Sequence, residues 1–250
     1  MSSYDVLSLA YDQLTDNVEY EARSKYISGF FHRFGIADGI LLDLACGSGR
    51  LTVLLAQMGY DMIGADASAG MLSYAQARAA DAGVDVRFIC QDMRDLDLYG
   101  TVRGCVCSLD SINHLTSLAD VQTVFQKVSL FTEPGGLFVF DVNTIYKHRY
   151  VLKDNVFAFE TDDFFLTWQN ELQPDGVTVC NTVDLFYTEN SGSYRRESES
   201  FLEKAYSVGA LQKAAESAGF EICGIYDDMT AHPPTPLSER IYFVCRKKDG

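Results

Sequence analysis

A glycine-rich segment near residue 45 has the residue types and spacing that most clearly suggest chemistry. It runs from Asp43 to Gly49 and reads DLACGSG. The small residues at positions 45, 47 and 49 let a ligand approach the backbone closely, and they permit torsions that a β-carbon would penalise. The segment therefore predicts a loop that binds a small molecule.

Dinucleotide-binding folds also begin with a strand, a glycine turn and a helix, but they require the spacing G-x-G-x-x-G. From Gly47 this chain reads GSGRLT, so Thr52 stands where the third glycine should be. The sequence also shows no evident set of residues for hydride transfer. A nicotinamide-dependent oxidoreductase is therefore the weaker interpretation.

The elements that would position this loop follow from hydrophobic periodicity. Residues 40–44 read as a buried strand, and apolar residues recur at helical spacing from Leu51 to Met58. A helix is predicted before them, at 18–34. The pattern then repeats, with predicted strands at 61–65, 86–90, 102–109 and 137–142 and with helices that begin at Ser68 and Ser117. Such alternation predicts parallel βαβ units whose ligand crevice lies at the carboxyl ends of the strands.

The pattern changes near residue 150. Alternating stretches at 164–168 and 177–187, with turn residues after each, indicate antiparallel hairpins. The α/β rhythm then returns, with a helix at 208–218 and strands at 220–226 and 241–245. We therefore predict an α/β fold: a doubly wound, mostly parallel seven-stranded sheet with helices on both faces, plus a small antiparallel β insertion. The sheet domain would comprise residues 1–154 and 205–250, and the insertion would comprise residues 155–204.

The glycine segment resembles the first motif of class I S-adenosylmethionine-dependent methyltransferases, a D-x-A-x-G-x-G run that faces the methionine end of the cofactor. Further matches follow in order at the ends of the next three predicted strands. They are Asp66, then Gln91-Asp92-Met93, then Ser108-Leu109-Asp110. Four strand ends with the expected polar groups make this resemblance specific for the cofactor.

The resemblance implies S-adenosyl-L-methionine as the cofactor and assigns roles to three acids. Asp43 would interact with the cofactor's ammonium group, Asp66 would accept both ribose hydroxyls, and Asp92 would contact adenine. Each acid also has an ordinary explanation, as a cap of the glycine turn, a helix-entry acid and a solvated loop acid respectively. The complete implied cofactor site comprises Tyr11, Tyr20, Asp43, Ala45, Cys46, Gly47, Gly49, Asp66, Ala67, Met71, Gln91, Asp92, Met93, Leu109 and Asp110.

The likeness extends over essentially the whole chain to a bacterial branch of this family, which has an N-terminal helical lid and an antiparallel insertion after strand five. The lid would comprise residues 1–36. Tyr11 and Tyr20 could cover the sulfonium with their ring faces, although helix packing would also explain them. His114 is the candidate general base, with Tyr11 as a second catalytic candidate, and a structural histidine is the alternative.

Composition excludes several classes of function. The chain has 250 residues, with 20 Lys+Arg against 35 Asp+Glu, which gives a net charge of −15. So acidic a surface repels phosphate backbones and disfavours nucleic acid as a partner. The sequence shows neither a membrane-spanning apolar run nor a basic signal peptide, so we expect a cytoplasmic protein. Seven cysteines without a C-x-x-C pair and four dispersed histidines predict no metal site.

The sequence thus predicts a methyltransferase that acts on O or N of a small-molecule acceptor by in-line displacement, as a monomer or homodimer. Neither the proline expected before a catalytic cysteine at Cys107 nor an N-P-P-[YF] run is present, which further disfavours nucleic-acid bases as acceptors. The alternative from another class is a non-catalytic cofactor-binding or interaction protein that retains the fold.

Overall fold

The computed structural model describes residues 18–162, 164–188 and 193–249. Its helices are α1 (Tyr20–Arg33), α2 (Arg50–Gln57), α3 (Ala69–Ala82), α4 (Leu118–Phe131) and α5 (Val208–Ser217). Its strands are β1 (Ile40–Leu44), β2 (Asp61–Asp66), β3 (Val86–Cys90), β4 (Val102–Cys107), β5 (Thr132–Asn143), β6 (Val156–Glu160), β7 (Phe164–Leu172), β8 (Thr178–Thr188), β9 (Tyr194–Lys204), β10 (Phe220–Asp227) and β11 (Arg240–Lys247).

Seven strands form one large sheet in the order β10-β11-β5-β4-β1-β2-β3. The pairs among β1 to β5 are parallel, whereas β11 runs antiparallel to both β5 and β10. The strand order reverses between β1 and β4, so this point is the topological switch at which open α/β sheets bind ligands.

Helices cover both faces of the large sheet. On one face the apolar core includes Val124 of α4 and Leu211 of α5, and on the other it includes Phe31 of α1 and Leu55 of α2. The remaining strands form a separate antiparallel sheet in the order β6-β7-β8-β9, with its own small core around Leu166. The predicted fold class is confirmed.

Several predicted boundaries were wrong. β4 ends at Cys107 rather than at residue 109, because Leu109 and Asp110 both adopt left-handed backbone torsions that no strand can contain. β5 begins at Thr132 rather than at residue 137, because Thr132 pairs with Val102 across an irregularity in the ladder. A π-helical turn at Lys147–Leu152, which was not predicted, leads from β5 toward the small sheet.

Of the expected N-terminal lid, residues 18–36 are described and include α1, and Tyr11 lies outside the described residues. α1 packs onto α2 in the apolar core on the face of the large sheet that includes Phe31 and Leu55. Tyr20 and Phe31 are both buried in this core. Within the described ranges, no helix is both long and apolar enough to cross a bilayer.

Candidate active site

A cavity of about 670 Å³ opens at the carboxyl ends of β1 to β4. Its volume lies within the range of pockets that enclose small molecules and cofactors. It is lined by Tyr20, Asp43, Ala45, Cys46, Gly47, Ser48, Arg50, Leu51, Asp66, Ala67, Ser68, Met71, Gln91, Asp92, Met93, Arg94, Ser108, Leu109, Ser111, His114, Leu115, Thr116, Asp120, Ser200, Phe201 and Leu202. The structure thus brings together most of the residues that the sequence singled out. Gly49 and Asp110 are described but are not among the lining residues.

The glycine loop adopts left-handed torsions at alternate positions: φ is 58° at Ala45, 54° at Gly47 and 75° at Gly49. A β-carbon on Gly47 would meet no atom within 4 Å, whereas one on Gly49 would lie 2.8 Å from the Cβ of Ala75. Gly47 therefore supplies a backbone conformation at the cavity wall. Gly49 instead lets the start of α2 approach α3 closely. Glycine is therefore required at position 49 by packing as well as by the left-handed torsion.

Asp66 joins the glycine loop to the start of α3. Its Oδ2 accepts a hydrogen bond from the Gly47 N–H at 2.8 Å, and its Oδ1 accepts one from the Ser68 N–H at 2.8 Å. Burial raises the pKa of Asp66, although these backbone donors act in the opposite direction. Each carboxylate oxygen retains a lone pair beyond these contacts, so both can still accept from a ligand.

Asp43 is buried beneath the loop at the end of β1. Its Oδ2 accepts a hydrogen bond from the Thr52 hydroxyl at 2.6 Å. Burial raises the pKa of Asp43 to about 7, the Thr52 hydrogen bond lowers it, and the charge of Asp66 raises it. Thr52, which breaks the dinucleotide pattern, is thus the hydrogen-bond donor that holds this carboxylate.

The segment after β3 supplies one end of the cavity. Asp92 pairs with Arg94 through two side-chain contacts, from Nε at 2.9 Å and from a terminal nitrogen at 2.5 Å, and this lowers the pKa of Asp92. The Gln91 side chain makes two hydrogen bonds to the backbone of Asp97, so it fixes the loop. Met71 and Met93 contribute apolar wall beside these groups.

Two further predicted residues, Tyr20 and Asp110, differ in their relation to the cavity. Tyr20 lines the cavity, and the guanidinium of Arg50 lies 4.6 Å from its ring centroid. Asp110 instead pairs with Arg240, whose terminal nitrogen lies 2.6 Å from Oδ1. The Asp110 carboxylate, which was predicted to belong to the cofactor site, is therefore already engaged in a partly buried ion pair with Arg240.

Asp141, at the end of β5, organises the loop after β4. Its fully buried carboxylate accepts hydrogen bonds from the Ser108 hydroxyl (2.8 Å) and from the backbone N–H groups of Leu109 (2.8 Å) and Asp110 (2.9 Å), and it pairs with Arg240. Arg240 and these donors lower the pKa of Asp141 against the effect of burial. No role was predicted for Asp141 from the sequence, although an acid near the carboxyl end of the fifth strand offered a signal.

The side of the cavity away from the glycine loop combines two parts of the fold. His114 and Thr116 follow β4, whereas Ser200, Phe201 and Leu202 belong to β9 of the small sheet. Burial lowers the pKa of His114. The β9 residues were not predicted as site residues, because the alternating pattern of a strand does not indicate which part of its sheet will line a cavity.

Most of the ionisable side chains of the cavity wall are acidic. Four aspartates line it, at positions 43, 66, 92 and 120, against the two cations Arg50 and Arg94. A cluster of His, Cys, Asp or Glu suited to a metal ion does not occur among the described residues. The acidic wall is suited to a cationic ligand rather than to a polyphosphate.

A doubly wound sheet with an acidic, glycine-lined cavity at its switch point defines a protein that binds a nucleoside-like cofactor. A family model described as a methyltransferase domain matches residues 41–136. The Bacillus subtilis protein named "Putative methyltransferase YqeM" is 29% identical over 245 residues, covering 98% of this chain and 97% of that protein.

Solved structures agree with these matches. An S-adenosylmethionine-dependent methyltransferase from Clostridium acetobutylicum superposes with a TM-score of 0.87 at 28% identity, covering 98% of this chain and 99% of that one. CalS10 of Micromonospora echinaspora, described as an amino pentose methyltransferase with bound cofactor, shares the fold with a TM-score of 0.76 at 19% identity, covering 99% of each chain. The chain is a class I S-adenosylmethionine-dependent methyltransferase. The acidic wall fits this cofactor, because both its sulfonium and its ammonium group are cationic.

Proposed function

We propose that the enzyme methylates a nitrogen or oxygen atom of a small-molecule acceptor that binds beside His114. The observation that carries this proposal is that polar side chains of His114, Thr116 and Ser200 line the cavity wall. The net charge of −15 supports a small molecule over nucleic acid. The name of CalS10, an amino pentose methyltransferase, is compatible with an amine acceptor.

The cofactor would lie along the glycine loop. In this arrangement Asp66 accepts from the ribose hydroxyls with the lone pairs that Gly47 and Ser68 leave free. Asp92 would contact adenine, and Met71 and Met93, which line the same cavity, would supply apolar wall. Asp43, whose pKa of about 7 allows it to ionise beside a cation, would stabilise the ammonium group.

The cofactor supplies an electrophilic methyl group, so the protein's own task is to align the acceptor and to exclude water. An amine or hydroxyl acceptor must also lose a proton. His114 lines the acceptor side, and burial lowers its pKa, so its imidazole is neutral at pH 7 and able to accept that proton.

A turnover screen tests the proposal. The purified enzyme would be incubated with S-adenosylmethionine and a panel of small amines and hydroxyl compounds, and S-adenosylhomocysteine would be quantified by mass spectrometry. We expect at least one acceptor to stimulate its formation and His114→Asn to reduce that rate. Cofactor binding without turnover across the panel would instead favour a non-catalytic binding protein.

A further inference from the structure

The small antiparallel sheet carries a buried carboxylate directly behind the cavity wall. Phe201 of β9 lines the cavity, and Glu203 lies two residues further along the same strand, on the same face. The Glu203 side chain is only 6% exposed. A carboxylate is rarely buried so deeply in the absence of partners.

The partner at the cavity side is His114. Its Nε2 lies 3.7 Å from Oε1 of Glu203, and its ring centroid lies 5.4 Å from that of Phe201. The turn that carries His114 is tied to the same strand, because the Asn113 side-chain amide donates to the Lys204 carbonyl at 2.9 Å. The imidazole is therefore held between the cavity and the carboxylate.

We propose that Glu203 is a positioning residue for His114: it holds the imidazole by facing Nε2, and it receives the proton that the imidazole takes from the methyl acceptor. This inference rests on the proposed function. One proton leaves the acceptor's nitrogen or oxygen for one ring nitrogen, and the proton on Nε2 passes to the Glu203 carboxylate. The imidazole ends neutral, and the proton count balances.

The surrounding charges favour this direction of transfer. Burial and the nearby charge of Asp110 raise the pKa of Glu203 to about 8, against the opposing effects of Lys147 and Arg240. Burial lowers the pKa of His114, and Asp110 acts against that decrease. The carboxylate is thus the stronger base of the pair. Above about pH 8, where Glu203 is ionised, it can receive the proton, which is then more stable on Glu203 than on the imidazole.

A structural alternative is that Glu203 only balances the charges of Lys147 and Arg240. In that case its carboxylate would not share a proton with His114. Two titrating groups in contact lose their protons in steps that belong to the pair, whereas independent groups titrate separately. The titration of His114 itself therefore separates the two explanations.

The test is an NMR titration of the histidine Cε1 protons in the folded protein, with the His114 signal assigned by its loss in His114→Asn. We expect the wild-type signal to show a step near pH 8, from Glu203, and a second step below pH 6.5, from the imidazole. Glu203→Gln should abolish the upper step. Glu171→Gln, which changes an exposed glutamate of β7 in the same sheet, should retain both steps.

A His114 signal that titrates identically in wild type and Glu203→Gln would overturn the proposal. If Glu203→Gln does not fold by circular dichroism, Glu203→Asp provides the same test. Its carboxylate lies farther from Nε2, so the upper step should shrink, and an unchanged step would count against the proposal. The titration requires no acceptor and no cofactor, so its outcome is independent of whether the turnover screen succeeds.

Discussion

Replacing Asp43 with asparagine should remove a pH-dependent loss of stability that the buried carboxylate imposes on the fold. Asp43 is 2% exposed, and its described side-chain partner is the Thr52 hydroxyl. Asparagine has nearly the same shape and can still accept that hydrogen bond. The substitution therefore removes the ionisation and changes little else at the site.

The magnitude follows from the two pKa values. The ordinary aspartate pKa is 3.8, and burial raises that of Asp43 to about 7 in the folded protein. Between these values the unfolded chain has lost the proton while the folded chain keeps it. Stability therefore falls as pH rises, by about 1.4 kcal/mol for each pH unit. From pH 5 to pH 8 the loss due to Asp43 is about 2 to 3 kcal/mol, and most of it occurs below pH 7.

The assay is urea unfolding of wild type and Asp43→Asn at pH 5 and pH 8, followed by circular dichroism. Other titrating groups affect both proteins in nearly the same way, so the difference between the two proteins isolates Asp43. We expect Asp43→Asn to gain about 2 to 3 kcal/mol relative to wild type between the two pH values. Asp61→Asn, an exposed aspartate on β2, should show no such gain.

An equal stability difference between wild type and Asp43→Asn at pH 5 and pH 8 would contradict this prediction. That result would mean that Asp43 is already ionised at pH 5 in the folded protein. Asp43→Asn should also bind S-adenosylhomocysteine more weakly than wild type, because the proposed contact to the ammonium group loses its charge.

Two further predictions concern the loops that border the cavity. Asp141→Ala leaves two backbone N–H groups without their acceptor and leaves the buried Arg240 guanidinium with Asp110 as its remaining carboxylate partner. Scanning calorimetry should therefore show a loss of about 3 to 5 kcal/mol, and a loss below about 1 kcal/mol would contradict the assigned contacts. Gly49→Ala should destabilise more than Gly47→Ala in urea unfolding, by about 1 to 3 kcal/mol, because both positions have positive φ but only the β-carbon at 49 meets the Cβ of Ala75. Equal losses of stability for the two glycine variants would show that the positive φ alone determines the cost of adding a β-carbon.

The sequence predicted the fold because the relevant signals are local. Strands, helix caps and hairpin turns each depend on residues close together in the chain, and Ser68 and Ser117 accept the N-cap hydrogen bonds that were expected of them. The cofactor side of the cavity could be predicted for a related reason, since parallel strands place all their carboxyl ends at one edge.

The acceptor side could not be predicted, because it depends on long-range contacts. The approach of Glu203 to His114 joins residues 89 positions apart, one in β9 of the small sheet and the other in the turn after β4. The network of Asp141 and Arg240 likewise depends on the register between β5 and β11. No local pattern encodes how two sheets meet, so this half of the site required the structure.

The central claim, that the cavity binds S-adenosylmethionine with Asp66 against the ribose, is tested most directly by calorimetric titration with S-adenosylhomocysteine. We predict one site per chain and at least tenfold weaker binding by Asp66→Ala, since hydrogen bonds to a charged group contribute about 1.5 to 3 kcal/mol each. Asp61→Ala, at the opposite end of the same strand, should bind like wild type. Absence of binding by the wild-type protein, or equal affinity of the two variants, would contradict the account.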